Sequence, residues 1–277
     1  MVIVQNSSGQ LGNKLLISAH ITAYCLSRNE VLINTVLGHD ADYFSALSFS
    51  EHRIIVVGSR SFQRLLRLAI RVLQKAIYAF FNKSLFDNHR VGWVHTELGE
   101  LARKAKTCLL LEGEGFRSTI DVHLNRQLLR KLFTPRPEHV SRVETIVSTL
   151  LKENTILIGI HLRRGDYRTW QSGKFYYDDK TYLNFIEQSK HLFKPQNVQF
   201  CLCSDEKIDA NTFNANNIYI STNKAIIDLY LLSKCNYIIG PPSTFSGWAS
   251  FYGEVPLHSI ENHTITLSLQ GFKKYTL

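Results

Sequence analysis

Residues 155–170 read TILIGIHLRRGDYRTW. A run of apolar, largely β-branched residues ends in His161, and two adjacent arginines, Arg163 and Arg164, follow. Gly165 permits a sharp bend before Asp166. A short, near-continuous apolar run reads as a strand buried on both faces, the kind found in parallel sheets. Side chains delivered at the C-terminal end of such a strand stand where α/β sheets bind their ligands. Two neighbouring guanidiniums repel unless an anion lies between them, and their planar forks suit a diphosphate better than lysine does. The competing reading is an ordinary surface turn with a local ion pair. Arg164-Gly165-Asp166 is also an adhesion tripeptide, but three residues recur by chance and nothing else in the chain looks extracellular. Placement at the end of the apolar strand favours a binding site.

Working outward from this strand, the chain alternates strands and helices. Strands are predicted at 1–5, 31–34, 54–57 and 107–112, with a loop at 6–13 and helices at 14–28, 60–82 and 121–133. A helix at 138–152 precedes the strand 155–162; a helix near 179–193 and strands at 198–203 and 217–220 follow. A helix at 224–234, a strand at 236–239, a helix from about 245 and a strand at 256–260 complete the pattern. This order predicts an α/β fold with parallel sheets and right-handed crossovers. Two prolines in Thr134-Pro135-Arg136-Pro137 break both helix and strand, which divides the chain into domains 1–135 and 136–277. At 277 residues there is enough chain for two modest cores.

Hydrophobic residues make up 44% of the chain and charged residues 20%, as in an ordinary globular protein. The formal net charge of +9 favours an anionic partner: nucleic acid, an acidic membrane surface or a phosphorylated ligand. No helix-turn-helix cue, zinc-finger spacing or aromatic RNA-binding signature is visible, so nucleic acid is not expected. No apolar run reaches the roughly 18–20 residues that span a bilayer. The first residues lack the basic start and long apolar core of a signal peptide. Five cysteines is a low, odd count that fits a reducing compartment. Cys201 and Cys203 alternate along a predicted strand, which suits a core better than a zinc site. A cytoplasmic protein is expected, with one candidate contact to the cytoplasmic membrane face. In the helix 60–82, Arg60, Arg64, Arg67, Arg71 and Lys75 share one side, while Phe62, Leu65, Leu66, Ala69, Ile70, Leu73, Ala76, Ile77 and Phe80 occupy the other. Either the basic face is solvated and the apolar face lies on the sheet, or the helix lies on an anionic membrane or seats a lipid-linked acceptor.

Three further segments carry candidate chemistry. Ser7-Ser8-Gly9-Gln10-Leu11-Gly12-Asn13 follows the first strand, and its glycines let backbone N–H groups approach a ligand; a plain tight turn is the alternative. VQFCLCSDE at 198–206 ends a strand with Ser204 and Asp205, where a carboxylate takes a ribose hydroxyl or a base N–H, or else caps a helix. GPPSTFSGW at 240–248 offers Ser243, Thr244 and Ser246 as the next helix opens, either a phosphate cradle or an N-cap cluster. No metal-ligand spacing is visible. His161, taken singly, reads as a core histidine, and the adjacent Asp178 and Asp179 point apart and make a poor acid/base pair.

Taken together these segments resemble a known family. His161-Leu162-Arg163-Arg164-Gly165-Asp166-Tyr167 resembles the HxRRGDY motif of fucosyltransferases that use GDP-fucose, and most closely the bacterial α-1,2-fucosyltransferases of glycosyltransferase family 11. FCLCSD followed by DLYLLSKCNYIIGPPSTFSGWAS resembles that family's D-x-Y-x-M/L-S-x-C pattern after a strand ending in S-D. SSGQLGNK resembles its GGLGNQ, with Gln10 interrupting the glycines and Lys14 in place of glutamine, and LEGEGFRS at 111–118 resembles its G-Y/F-x-Q/R-S. The resemblance implies a GT-B glycosyltransferase with two Rossmann-like domains, the donor held mainly by the C-terminal half, and no metal or other cofactor. It implies an inverting transfer of L-fucose from GDP-β-L-fucose to a glycan hydroxyl, the galactose 2-OH in an α-1,2 linkage, in polysaccharide or glycan synthesis. Arg163, Arg164, Ser204, Asp205, Ser243, Thr244, Phe245 and Ser246 would then bind the donor. Gly9, Gly12 and Asn13 would form an acceptor-side loop. Arg163, His161, Asp166 and Asn13 would act at the reaction centre, with the general base open among His161, Asp166 and an N-domain group. The alternatives are a transferase of the same fold with another nucleotide sugar or linkage, a carbohydrate-binding relative without catalysis, and a basic nucleic-acid or membrane-binding protein.

Overall fold

The computed structural model describes residues 1–5, 9–48, 52–81, 86–92, 95–102 and 108–277. Asn6, Ser7, Ser8, Asn82 and Thr107, which fall in expected elements or loops, lie outside the described residues. By internal contacts the chain divides into one unit of Met1–Arg136 with Leu277, and a second of Pro137–Thr276.

In the first unit β1 (Val2–Gln5) leads to α1 (Leu11–Arg28), β2 (Leu32–Asn34), β3 (Ile54–Val56) and α2 (Arg60–Phe81). β4 (Phe86–Val91), β5 (Thr96–Glu97), α3 (Leu98–Ala102), β6 (Cys108–Gly113), β7 (Phe116–Arg117) and α4 (Thr119–Leu132) follow. The main sheet has the order β3-β2-β1-β6-β4, and all its ladders are parallel, with Ile3 opposite both Ile33 and Leu110. α1 starts at Leu11 rather than 14, because Leu11 already belongs to the buried stripe with Leu15 and Leu16. Gly12 and Asn13 therefore stand in the first turn of a helix, not in a loop. β4 was not legible: FDNHRV is a polar edge strand paired, among the described residues, only with β6. The expectation that the apolar side of α2 lies on the sheet is only half met. Ile70 is buried against Ile3 and Cys108, but Phe62, Leu65 and Leu73 are exposed.

The second unit runs α5 (Pro137–Leu150), β8 (Thr155–Leu162), α6 (Asp179–Leu192), β9 (Asn197–Ser204), β10 (Ile218–Ile220), α7 (Ala225–Leu232), β11 (Tyr237–Gly240), α8 (Thr244–Gly253) and β12 (Leu257–Ser259). Its sheet is parallel throughout, in the order β10-β9-β8-β11-β12. The chain thus builds outward on one side of β8 and then on the other, so a topological switch point lies between β8 and β11. Ile158, Ile160 and Leu162 of β8 join Phe185, Phe200, Leu202, Tyr177 and Tyr182 in one core. Full burial of each such side chain contributes about 1.5–3 kcal/mol. The thiols of Cys201 and Cys203 are buried with their sulfurs 3.9 Å apart, which bears out a core role.

Candidate active site

The switch point of the second unit is built from three strand ends. β8 hands over to Arg163, β9 to Asp205, and β11 to the Pro241–Ser243 loop that opens α8. The parallel register pairs Leu162 with Ser204, which brings Arg163 beside Asp205. Arg163 Nη1 lies 2.8 Å from Asp205 Oδ2, and its Nη2 lies 2.6 Å from Asp166 Oδ1. The other Asp205 oxygen accepts the Arg164 backbone N–H at 2.9 Å. Gly165 is required here, because a Cβ would sit 2.8 Å from the Asp205 carboxylate. The guanidinium is thereby fixed in one orientation and buried, while the Asp166 carboxylate is 57% exposed.

The two adjacent arginines need no anion between them, contrary to the reading of the bare sequence. Arg163 has two carboxylates, Asp166 and Asp205, and Arg164 has one, Asp179. Arg164 Nε donates to the Tyr177 carbonyl at 3.1 Å and its Nη2 pairs with Asp179 at the start of α6. Asp178 caps the same helix, accepting from the Thr181 N–H at 2.8 Å. The two aspartates thus have separate structural tasks, as their adjacency predicted.

Tyr167 ties the turn after β8 to the loop after β11. Its hydroxyl donates to the Pro242 carbonyl, and its ring stacks on Trp170 with centroids 4.8 Å apart. Burial pushes its pKa up to about 12, so it remains a donor. Ser243 is the N-cap of α8 and accepts the Phe245 N–H at 3.2 Å, while the Ser246 hydroxyl donates to the Ser243 carbonyl at 3.3 Å. Thr244 and Phe245 form the first turn of α8, so the positive end of that helix dipole lies at the same edge of the sheet as Arg163. Ser204 Oγ accepts the Glu206 N–H at 3.1 Å and shapes the turn that presents Asp205.

His161 is buried beneath this surface with its ring 4.9 Å from that of Phe245. Burial, with help from Arg163, lowers its pKa to about 3, and its Nδ1 has no hydrogen-bond partner among the described residues. A neutral imidazole so placed is a weak base shielded from solvent. Asp228, the first residue of the DLYLLSKC segment, was given no role from the sequence. It lies in α7, accepts from the Ser221 hydroxyl after β10, and burial raises its pKa to about 7. The signal was a lone carboxylate inside the apolar stretch AIIDLYLL.

The first unit has a switch point of its own, between β1 and β6. Gly9 has φ +101° there, and a Cβ would meet Asn13 Nδ2 at 3.0 Å. Gly12 is buried and Asn13 half-buried in the first turn of α1, and Lys14 pairs with Asp40 at 2.6 Å. Across the sheet edge, Arg117 donates to the Glu114 and Phe116 carbonyls at 3.0 and 2.8 Å and lies 3.2 Å from His95 Nε2. His20 Nδ1 accepts the Ser118 N–H at 3.0 Å, and burial followed by the Arg117 charge lowers its pKa to about 3. The residues of the 9–13 and 163–166 segments belong to different units.

The profile of glycosyl transferase family 11 matches residues 115–266, more than half of the chain. The chain belongs to glycosyl transferase family 11. It is therefore a glycosyltransferase, and the family read from the HxRRGDY segment is the family found. No curated protein matches it significantly. Among solved structures, the NodZ α-1,6-fucosyltransferase of Bradyrhizobium soaked with GDP-fucose is 16% identical, with 94% of each chain covered and a TM-score of 0.61. A mutant of Arabidopsis thaliana FUT1 in complex with GDP is 18% identical over 95% of this chain and 72% of that one, with a TM-score of 0.60. POFUT1 in complex with GDP-fucose is 9% identical over 94% of this chain and 96% of that one, with a TM-score of 0.52. At these identities the likeness is one of fold, and it is the GT-B type with two Rossmann-like units.

For a family 11 glycosyltransferase, the matched region contains the Arg163 turn, Asp205 and the α8 N-terminus, but not the Gly9–Asn13 segment. Among the described residues, no three His, Cys, Asp or Glu side chains are grouped to hold a metal. A cavity of about 630 Å³ along β12 and the C-terminal segment, lined by His258, Glu261, Lys273 and Tyr275, includes none of the residues at the switch point.

Proposed function

We propose that this glycosyltransferase moves L-fucose from GDP-β-L-fucose to a hydroxyl of a glycan acceptor, with inversion at the anomeric carbon. The observation that carries the reading is Arg163, held by Asp166 and Asp205 at a strand-end switch point beside the N-terminus of α8. Support also comes from the neighbouring folds that carry GDP-fucose or GDP in their crystals.

In this reading the donor diphosphate takes Arg163 on its Asp166 side and the α8 first turn, at Ser243, Thr244, Phe245 and Ser246, on the other. Asp205 clamps Arg163 and, with Ser204, borders the guanosine side. Arg164 holds the turn against α6 and adds positive potential. As the C1–O bond of fucose breaks, an oxocarbenium-like sugar forms and negative charge grows on the β-phosphate. A prefixed arginine contact strengthens at that moment and needs no reorganisation. The acceptor hydroxyl attacks the opposite face of C1 as the C1–O bond to GDP breaks, and gives up its proton late to water, so no strong base is required. Asp166 is the accessible carboxylate of the motif, and His161 positions Phe245 instead of moving a proton. The α-1,2 linkage to galactose rests on the sequence resemblance, and NodZ by its name makes an α-1,6 linkage. Arginine replaces a divalent cation at the leaving group, so EDTA leaves the rate unchanged.

The test is a donor panel of GDP-fucose, GDP-mannose and uridine diphosphate sugars. Nucleotide release and product linkage are followed with galactose-terminated acceptors. Turnover on GDP-fucose alone is the expected result. Faster turnover on another nucleotide sugar would overturn the assignment.

A further inference from the structure

α2 carries more apolar surface than the sheet beneath it covers. One stripe, centred on Ile70 and including Leu66, packs against Ile3, Ile33 and Cys108. At about 100° per residue, Phe62, Leu65, Leu68, Val72 and Leu73 form a second stripe beside the first. These five side chains are between 50% and 63% exposed. Arg64, Arg67, Arg71 and Lys75 line the opposite flank, and no acidic residue occurs anywhere from 60 to 81. Tyr78 is exposed near the far end, about 24 Å along the axis from Phe62. Single exposed apolar residues are ordinary on a protein surface, but a continuous stripe over three turns marks a contact.

We propose that α2 docks this enzyme in the plane of an anionic lipid surface. The apolar stripe enters the boundary between headgroups and acyl chains, and the cations lie against the lipid phosphates. Charge complementarity selects this occupant. A bilayer bearing anionic headgroups satisfies both stripes at once. Nucleic acid would take the cations and leave the apolar stripe in water. An antiparallel pairing of two copies through the stripe would set their basic flanks side by side.

The test is co-sedimentation of the full chain with phosphatidylcholine vesicles, with and without phosphatidylglycerol. Binding is expected only to the anionic vesicles and should weaken as salt rises. The variant Arg64→Gln/Arg71→Gln/Lys75→Gln is expected to lose about fivefold in partitioning per cation removed. Leu65→Ser/Leu68→Ser/Val72→Ser should lose vesicle binding while keeping its unfolding midpoint, since these side chains are exposed. An environment-sensitive dye on Leu65→Cys should shift to the blue with anionic vesicles. Equal binding to both vesicle types, binding to neither, or a dimer that the serine variant dissociates would overturn the proposal.

Discussion

Arg163 is held by two carboxylates, and in the proposed reaction the consequence belongs to the transition state. Lysine at this position keeps the charge but cannot engage Asp166, Asp205 and a diphosphate oxygen from one planar group. Arg163→Lys is expected to cost at least about 2–3 kcal/mol of transition-state stabilisation, read as a fall in kcat/KM for sugar transfer. Near-wild-type turnover would remove Arg163 from the mechanism. Asp228 bears on stability instead. Its carboxyl ionises near 3.8 in the unfolded chain but only near 7 in the fold, chiefly because burial disfavours the charge. The unfolded state therefore loses its proton first, and this group makes stability fall as the pH rises from about 4 to about 7, with the full loss retained above. The difference corresponds to about 4 kcal/mol. Asp228→Asn can still accept from Ser221 and carries no charge. It is expected to be more stable than wild type at pH 8 and indistinguishable at pH 4 in denaturant titrations. An equal gap at both pH values would exclude titration of Asp228 as the cause.

At the scale of elements, legibility followed the strength of the local signal. β8 was readable to its last residue, because a strand buried on both faces leaves an unbroken apolar run. The start of α6 was readable because Asp178 caps it. β4 was not, since an edge strand has polar residues and its pairing with β6 is set by the sheet. The Arg163–Asp205 pair was also out of reach, because it depends on the β8–β9 register between residues far apart in sequence. Arg163 looked unneutralised for that reason, and Arg164 because Asp179 reaches it only from the start of α6. The glycine loop was read as open chain, yet helix α1 claims Gly12 and Asn13, since burial of Leu11 and Leu15 outweighs the cost of one glycine, about 1 kcal/mol. Asn13 therefore has a rigid mount, against Gly9 in a conformation that favours glycine. If it holds a sugar or acceptor hydroxyl, Asn13→Ala should leave GDP affinity unchanged by calorimetry and lower transfer about tenfold or more. Loss of both, or of neither, would return Asn13 to a structural role.

On the scale of the whole molecule, the chain contains two parallel sheets, each with its own switch point and each preceding a different set of polar residues. Among the described residues, only the second has an arginine preset between carboxylates beside a helix N-terminus, so a nucleoside diphosphate should stabilise that unit directly. A ligand present at 100 times its Kd stabilises the state that binds it by about 2.7 kcal/mol. Amides that exchange only through unfolding of that unit should then slow by about a hundredfold. Hydrogen exchange with saturating GDP is therefore expected to protect 161–168, 204–206 and 240–250, together with the core strands β8, β9 and β11. Amides of 9–20 and of β1 and β6 should keep their rates, because the proposed site places the GDP contacts in the other unit. Protection confined to the first unit would place the nucleotide on the wrong sheet in this account, and Arg163 would then be a structural ion pair in a glycosyltransferase that holds its donor elsewhere.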